Sequence, residues 1–292
     1  MMKQLLIFLG LGLPLFLFGQ AEFSGFYKPV EDSLIYLEGL TYDSLSIKLE
    51  ALDEEHFHLM DLDIYTSKDT VRYWAICREG AAWDTIQHIV RWDSLIKQKR
   101  KMFKEGYVMQ DIEHYRDARR RDHYIAYWNK GSALHKVWKF DSREAMNKKI
   151  TAHAKQDLFL KDVEPVLMDD GSYIFLGIFH REGPRDRTYL YESDNLSTFM
   201  EDRRRRLKSG YRMRDFERFY EGDKTVFMAI YEKGTHLDFV QVNMDTAFPD
   251  ERMMGGRYKD QELKLVDLEI RRKLDGRKKS YKFKFKYNSD DY

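Results

Sequence analysis

The sequence predicts an α+β fold of five tandem β-β-β-α units whose antiparallel sheets succeed one another along the chain. Three observations predict it. An acidic strand signature recurs five times at a spacing of about 51 residues. A second strand with a small central residue follows each of the first four copies. A helix N-cap signal then precedes the next copy.

The acidic signature reads Leu59-Met60-Asp61-Leu62-Asp63, Met109-Gln110-Asp111-Ile112-Glu113, Leu160-Lys161-Asp162-Val163-Glu164, Met213-Arg214-Asp215-Phe216-Glu217 and Leu265-Val266-Asp267-Leu268-Glu269. Successive first aspartates lie 50, 51, 53 and 52 positions apart. Leu or Met stands two positions before each of them, and an apolar residue stands one after.

The second strand is Tyr73-Trp74-Ala75-Ile76-Cys77, then Tyr124-Ile125-Ala126-Tyr127-Trp128, Phe175-Leu176-Gly177-Ile178-Phe179 and Phe227-Met228-Ala229-Ile230-Tyr231. The small middle residue suits a close approach by a neighbouring group. Gly80, Gly131, Gly183 and Gly234 follow, where a tight turn would use positive φ. Third strands are expected over residues 86–90, 135–140, 188–191 and 237–242.

Asp93-Ser94, Asp141-Ser142, Asp194-Asn195 and Asp245-Thr246 then supply helix N-cap side chains. Gly106 and Gly210 end two of the helices in the left-handed conformation. Pro249 and Gly255-Gly256 shorten or break the helix after Asp245.

The ends of the chain bear on closure. Residues 34–37, with Asp43-Ser44 and a helix to about Glu54, read as a third strand and helix with nothing before them. The last copy ends on a second strand over residues 280–287. Pairing of the 34–37 strand with the last unit would close a propeller-like ring. An open curved array is the alternative.

Residues 1–20 read as a signal peptide, with Lys3, an uncharged apolar run over residues 5–18, small residues at Gly19 and Ala21, and cleavage near Gln20. The run is shorter than the roughly 20 apolar residues of a spanning helix. Residues 21–292 are expected to form one repeat domain, secreted or periplasmic, with no later transmembrane helix. A net charge of +1 argues against a nucleic-acid partner. Cys77 is the one cysteine, so no intramolecular disulfide forms and core packing must carry stability.

Gly106, Tyr107, Asp111, Ile112, Glu113, Tyr115, Tyr124, Ala126 and Trp128, echoed by Gly210, Tyr211, Asp215, Glu217 and Ala229, carry a pattern that resembles the bacterial tandem repeat domain. This type of repeat also occurs in the N-terminal region of fungal polyglycine hydrolases. The resemblance covers nearly the whole chain after residue 20 and weakens in the third and fifth copies. In such relatives the repeats often accompany a hydrolase domain similar to serine β-lactamases, for which this chain has no room. The resemblance implies a fold and a secreted accessory role, and assigns no catalytic residue.

The candidate site residues are the repeated carboxylates Asp61/Asp63, Asp111/Glu113, Asp162/Glu164, Asp215/Glu217 and Asp267/Glu269. Residues i and i+2 of a strand share a face, and each pair could offer oxygens to Ca²⁺. Alternation also places the preceding Leu or Met on that face, along with Tyr65, Tyr115 or Phe219. A carboxylate so buried is expected to be tied to backbone N–H groups or an arginine, which makes the structural role the expectation. No metal and no cofactor are assigned.

Other motifs are weighed the same way. Ser94-Leu95-Ile96-Lys97 matches an SxxK pattern but sits at a repeated helix cap without a KTG partner. His56 and His58 lack a second ligand pair. The run from Arg203 to Arg206 surrounds its helix, so part of it must face the sheet. Residues 281–287 alternate aromatic and basic side chains at a strand period. The expected function is a non-catalytic binding or scaffold module for a protein, peptide or glycan of the envelope. A hydrolase built from the repeat carboxylates is the alternative.

Overall fold

The computed structural model describes residues 21–29, 33–67, 70–80, 84–181, 188–234, 239–244 and 263–272. The signal segment, the helix expected after Asp245 and the strand expected over residues 280–287 lie outside them.

The elements in order are β1 (Ala21–Pro29), β2 (Leu34–Leu40), α1 (Tyr42–Glu54), β3 (Phe57–Ser67), β4 (Thr70–Glu79), β5 (Asp84–Val90), α2 (Trp92–Lys104), β6 (Tyr107–Arg116), β7 (Asp122–Lys130) and β8 (His135–Phe140). They continue with α3 (Arg143–Ala154), β9 (Leu158–Leu167), β10 (Tyr173–Arg181), β11 (Tyr189–Ser193), α4 (Leu196–Lys208), β12 (Tyr211–Glu221), β13 (Lys224–Lys233), β14 (Phe239–Met244) and β15 (Leu263–Arg272).

These strands form three-stranded antiparallel sheets, ordered β2-β4-β3, β5-β7-β6, β8-β10-β9, β11-β13-β12 and β14-β1-β15. The strand read from sequence as the third of one unit therefore pairs with the next copy, and the structural unit runs strand, helix, strand, strand. The last strand takes the centre of its sheet.

The fifth sheet departs from the sequence expectation. A strand does precede residues 34–37, and it is β1. Residues 34–40 pair with β4, as Ile35 opposite Cys77 and Leu37 opposite Ala75 show. β1 instead occupies the centre of the fifth sheet, antiparallel to both β14 and β15.

The helices follow their local signals with two adjustments. Ser142 and Asn195 cap α3 and α4 by accepting from Ala145 N and Thr198 N. The cap of α1 is Thr41, which accepts from Ser44 N. α2 begins at Trp92 behind Arg91, with no side-chain cap, so Asp93-Ser94 lies inside its first turn. Gly106 and Gly210 take φ of 80° and 75° after their helices. His56 and Asp157 adopt the same left-handed conformation after α1 and α3, with φ of 62° and 55°.

The glycines after the second strands act otherwise than expected. A Cβ on Gly80 would stand 2.7 Å from the His58 ring, and one on Gly131 would stand 3.1 Å from Val108. Neither residue has positive φ. Close approach by the outer end of the first strand excludes a side chain there.

Cores form between the helix-bearing face of one sheet and the back of the next. Leu45, Leu59, Leu62 and Cys77 of the first unit meet Ile125 and Tyr127 of β7. Leu95, Met109, Ile112 and Trp128 meet Val166 and Ile178. Met146, Leu160, Val163 and Phe179 meet Phe219 and Met228. Leu34 and Met60 of the first unit pack against the core of Phe199, Phe216 and Tyr231 in the fourth. The small residue at the middle of β4, β7, β10 and β13 is buried. At Gly177 even a Cβ would come within 3.2 Å of both Leu160 and Phe140.

The signature strands lie beside one another. β3 contacts β6, β6 contacts β9, β9 contacts β12, β12 contacts β15, and β15 contacts β3.

Candidate functional site: the carboxylates of the inner strands

Each signature strand carries a β-bulge immediately before its first aspartate. The ladders skip Met60, Gln110, Lys161, Arg214 and Val266. A bulge inserts one residue without a partner and reverses the alternation of faces beyond it. Leu59 and Leu62 therefore share the helix-side face, opposite Cys77 and Ala75. Asp61 and Asp63 point to the other face, opposite Ile76 and Trp74. The expectation that the carboxylates share a face with the Leu or Met two positions earlier is corrected by this bulge. Tyr65 and Tyr115 do stay on the carboxylate face, opposite Arg72 and His123.

The bulge also frees backbone groups, and the following unit takes them up. Tyr127 Oη donates to the carbonyl of Leu59. His180 Nε2 donates to the carbonyl of Met109 at 2.7 Å. Thr188 Oγ1 donates to the carbonyl of Leu160 at 2.8 Å, and Arg214 Nε to that of Lys161 at 3.1 Å. In the other direction, Val163 N donates to Asp215 Oδ2 at 3.3 Å. One repeat aspartate thus receives a backbone N–H from the neighbouring sheet.

Asp111 on β6, Asp162 on β9 and Asp215 on β12 act on one another. Burial, then the charges of Asp215 and Asp63, push Asp111 up to about 8. Asp162 is held well above the usual carboxylate range by burial and by Asp111, Asp215 and Glu164, with Arg214 opposing. Burial raises Asp215 to about 7 against the pull of Arg214 and of the Val163 and Phe216 N–H groups. Asp162 Oδ2 is buried with no hydrogen-bond partner among the described residues. The three carboxyls converge from three strands, and all are raised above the usual carboxylate range.

The second members of the pairs, Asp63, Glu113, Glu164 and Glu217, are buried. Asp61 is partly buried. Asp267 and Glu269 lie on β15 with backbone register opposite Phe26 and Ser24. Among the described residues, no group of three or more His, Cys, Asp or Glu is placed to hold a metal ion.

The remaining candidates fall where packing puts them. Ser94 is exposed in the first turn of α2. His56 is exposed at the left-handed position, while His58 packs on Gly80. Cys77 is buried in the first core. In the arginine run, Arg203 is buried, and Arg205 and Arg206 both pair with Asp202. Arg206 also lies over the rings of Tyr191 and Tyr231. Among the described residues, no helix is long and apolar enough to cross a membrane.

Sequence reasoning missed a cleft of about 340 Å³ lined by Thr66, Val71, Arg116, Asp117, Arg119 and Arg121. It lies where the β3–β4 and β6–β7 hairpins end. Arg116 is committed to Asp122 and Asp169, and Arg121 to Asp117. The Arg119 guanidinium has no partner among the described residues. Four arginines within six positions, 116–121, were the available signal.

Fold and site together define an α+β tandem-repeat protein whose signature residues join one sheet to the next. Residues 196–234, spanning α4, β12 and β13, match the family described as polyglycine hydrolase-like, structural repeat. That match begins at a helix and covers the two strands after it, in phase with the structural unit. Comparison with curated proteins finds none that matches the chain.

Proposed function

We propose that the chain is an exported, non-catalytic repeat scaffold that closes into a ring of five units and binds a protein, peptide or envelope component through its loops. One observation carries the reading. The bulge carbonyls of three units, at Leu59, Met109 and Leu160, and the repeat aspartate Asp215 serve junctions between sheets. Residues committed to joining repeats are not available to a substrate. Recognition then falls to loops on a rigid frame.

Closure is supported by the succession of contacts from β3 through β15 back to β3, and by β1 filling the centre of the fifth sheet. Export is supported by the basic and apolar character of residues 1–20. The cleft with Arg119 offers a guanidinium to an acidic group of the partner.

A hydrolase is the second reading, favoured by the raised pKa of Asp111, Asp162 and Asp215. Carboxyls that keep protons at neutral pH are suited to general acid–base work. A pull-down with the chain from Ala21 onward, against envelope and secreted fractions, tests the first reading. The expected result is one dominant partner, competed by free chain and weakened by Arg119→Glu. No reproducible partner, together with hydrolytic activity lost in Asp162→Asn, would overturn it in favour of the second.

A further inference from the structure

The second unit differs from the others at one junction. His88 on β5 and His123 on β7 face each other, with His88 Nε2 2.8 Å from His123 Nδ1. Tyr115 Oη lies 3.2 Å from the same His88 nitrogen. The positions equivalent to His88 in the first, third and fourth sheets hold Glu38, Lys139 and Glu192. Those equivalent to His123 hold Arg72, Ile174 and Val226. The pair therefore serves no purpose common to the repeat.

We propose that His88 Nε2, His123 Nδ1 and Tyr115 Oη form a binding site for one divalent ion of the zinc and copper class. Asp117 fixes the donor set. Its Oδ2 lies 3.2 Å from His123 Nε2, and an ionised carboxylate only accepts. His123 therefore carries its proton on Nε2 and presents the bare Nδ1 lone pair to His88. A carboxylate behind a ligating histidine is the usual second layer of such sites. Asp117 also accepts from Arg121 N at 2.9 Å and from Arg121 Nε at 2.7 Å, so it faces His123 as an acceptor. His88 is anchored from behind, since its backbone N–H donates to Tyr42 Oη at 3.1 Å.

The spacing fits with a small adjustment. Ligands about 2.0–2.1 Å from a tetrahedral zinc stand roughly 3.3–3.4 Å apart. The present 2.8 and 3.2 Å separations would widen by about half an ångström or less. His88 is exposed and His123 buried, so an ion enters from solvent on the His88 side. On binding, His88 releases the proton on Nε2 and takes one on Nδ1, which leaves both imidazoles neutral. Tyr115 contributes a phenol oxygen, and water completes the shell. Two imidazoles with oxygen donors suit zinc and copper better than calcium or magnesium.

The experiment is a titration of untagged chain, from Ala21 onward, with zinc chloride followed by calorimetry, and with copper(II) followed by electron paramagnetic resonance. The expected result is saturation at one ion per chain, with nitrogen hyperfine structure from two imidazoles in the copper spectrum. His88→Gln, a surface change, should abolish binding while leaving the circular dichroism unchanged. Asp117→Asn should weaken it about 10–100-fold. No saturable binding in the wild-type chain, or the same affinity in folded His88→Gln, would overturn the proposal.

Discussion

His180 on β10 donates from Nε2 to the carbonyl oxygen of Met109 on β6, 2.7 Å away and in the preceding sheet. The carbonyl is available because the bulge at Gln110 interrupts the β6–β7 ladder. The same position in the first unit, Leu59, accepts from Tyr127. Tyr127→Phe removes only the hydroxyl and leaves a buried carbonyl unsatisfied, at a cost of about 1–3 kcal/mol. Urea unfolding should show a lower midpoint at unchanged slope. An unchanged midpoint would mean that the bulge carbonyl is satisfied without the neighbouring unit.

The architecture was legible in the sequence to the extent that it depends on residue type. Period, strand identity and the α3 and α4 caps follow from Asp111, Ala126, Ser142, Asn195 and their equivalents. The bulges were not legible, because Met60, Gln110, Lys161, Arg214 and Val266 share no chemistry. Their partners across the junctions were hidden for the same reason, since Tyr127, His180 and Thr188 do one task with three side chains. β1 carries the second-strand pattern as Phe23-Ser24-Gly25-Phe26-Tyr27, with Gly25 50 positions before Ala75, and was missed because the acidic strand it pairs with, β15, lies at the other end of the chain. The His88–His123 pair was missed because the two residues lie 35 positions apart on separate strands, a spacing that matches no local motif.

The left-handed positions allow a test of repeat logic. Gly106 and Gly210 occupy them without strain, while His56 and Asp157 hold positive φ with a Cβ. His56→Gly and Asp157→Gly should each stabilise by roughly 0.5–1 kcal/mol, because relief of the left-handed strain exceeds the added chain entropy. Gly106→Ala should destabilise by a similar amount. Thermal unfolding of the three variants gives the signs directly.

His153 lies between Trp138 and Phe179, buried, and neither of its ring nitrogens has a partner among the described residues. Burial, aided by Lys136 and Lys149, lowers its pKa to about 4. A value below that of the unfolded chain contributes stability above about pH 6.5 that is lost as pH falls toward 4. His153→Leu should remove both penalties. It should raise stability at pH 7 by about 1–3 kcal/mol and make the decline between pH 6.5 and 4 shallower. An unchanged acid limb would place the sensitivity in His114, His135 and His180, whose values burial also lowers.

The inner aspartates have the opposite sign. Asp111 and Asp215 are raised to about 8 and 7, and Asp162 is raised well above the usual range. Each holds a proton that the unfolded chain gives up near pH 4, so stability is lost as pH rises through the folded values. Above about pH 7.5 the unfolded chain's histidines have also given up their protons, and the aspartates set the slope. Asp162→Asn keeps the shape and removes one of the three charges. Its denaturation midpoint should fall less than that of the wild type from pH 6.5 to 8.5. Parallel curves would mean that Asp162 is not protonated with the others.

β1 pairs with β14 through Phe23 to Tyr27 and with β15 from Ala21 to Pro29, so the fifth sheet has no centre without it. β15 in turn contacts both β12 and β3. Loss of the central strand therefore exposes the edges of β14 and β15 that it pairs with. A chain starting at Ser33 should unfold at lower urea and be cut by protease within residues 239–272, while the α4–β13 region stays protected. A synthetic peptide of residues 21–29 should restore protection when added in excess, since the missing contacts are backbone ladders that an extended peptide can remake. Equal stability of the shortened and longer chains would mean that the remaining sheets stand as an open array and that the ring reading fails.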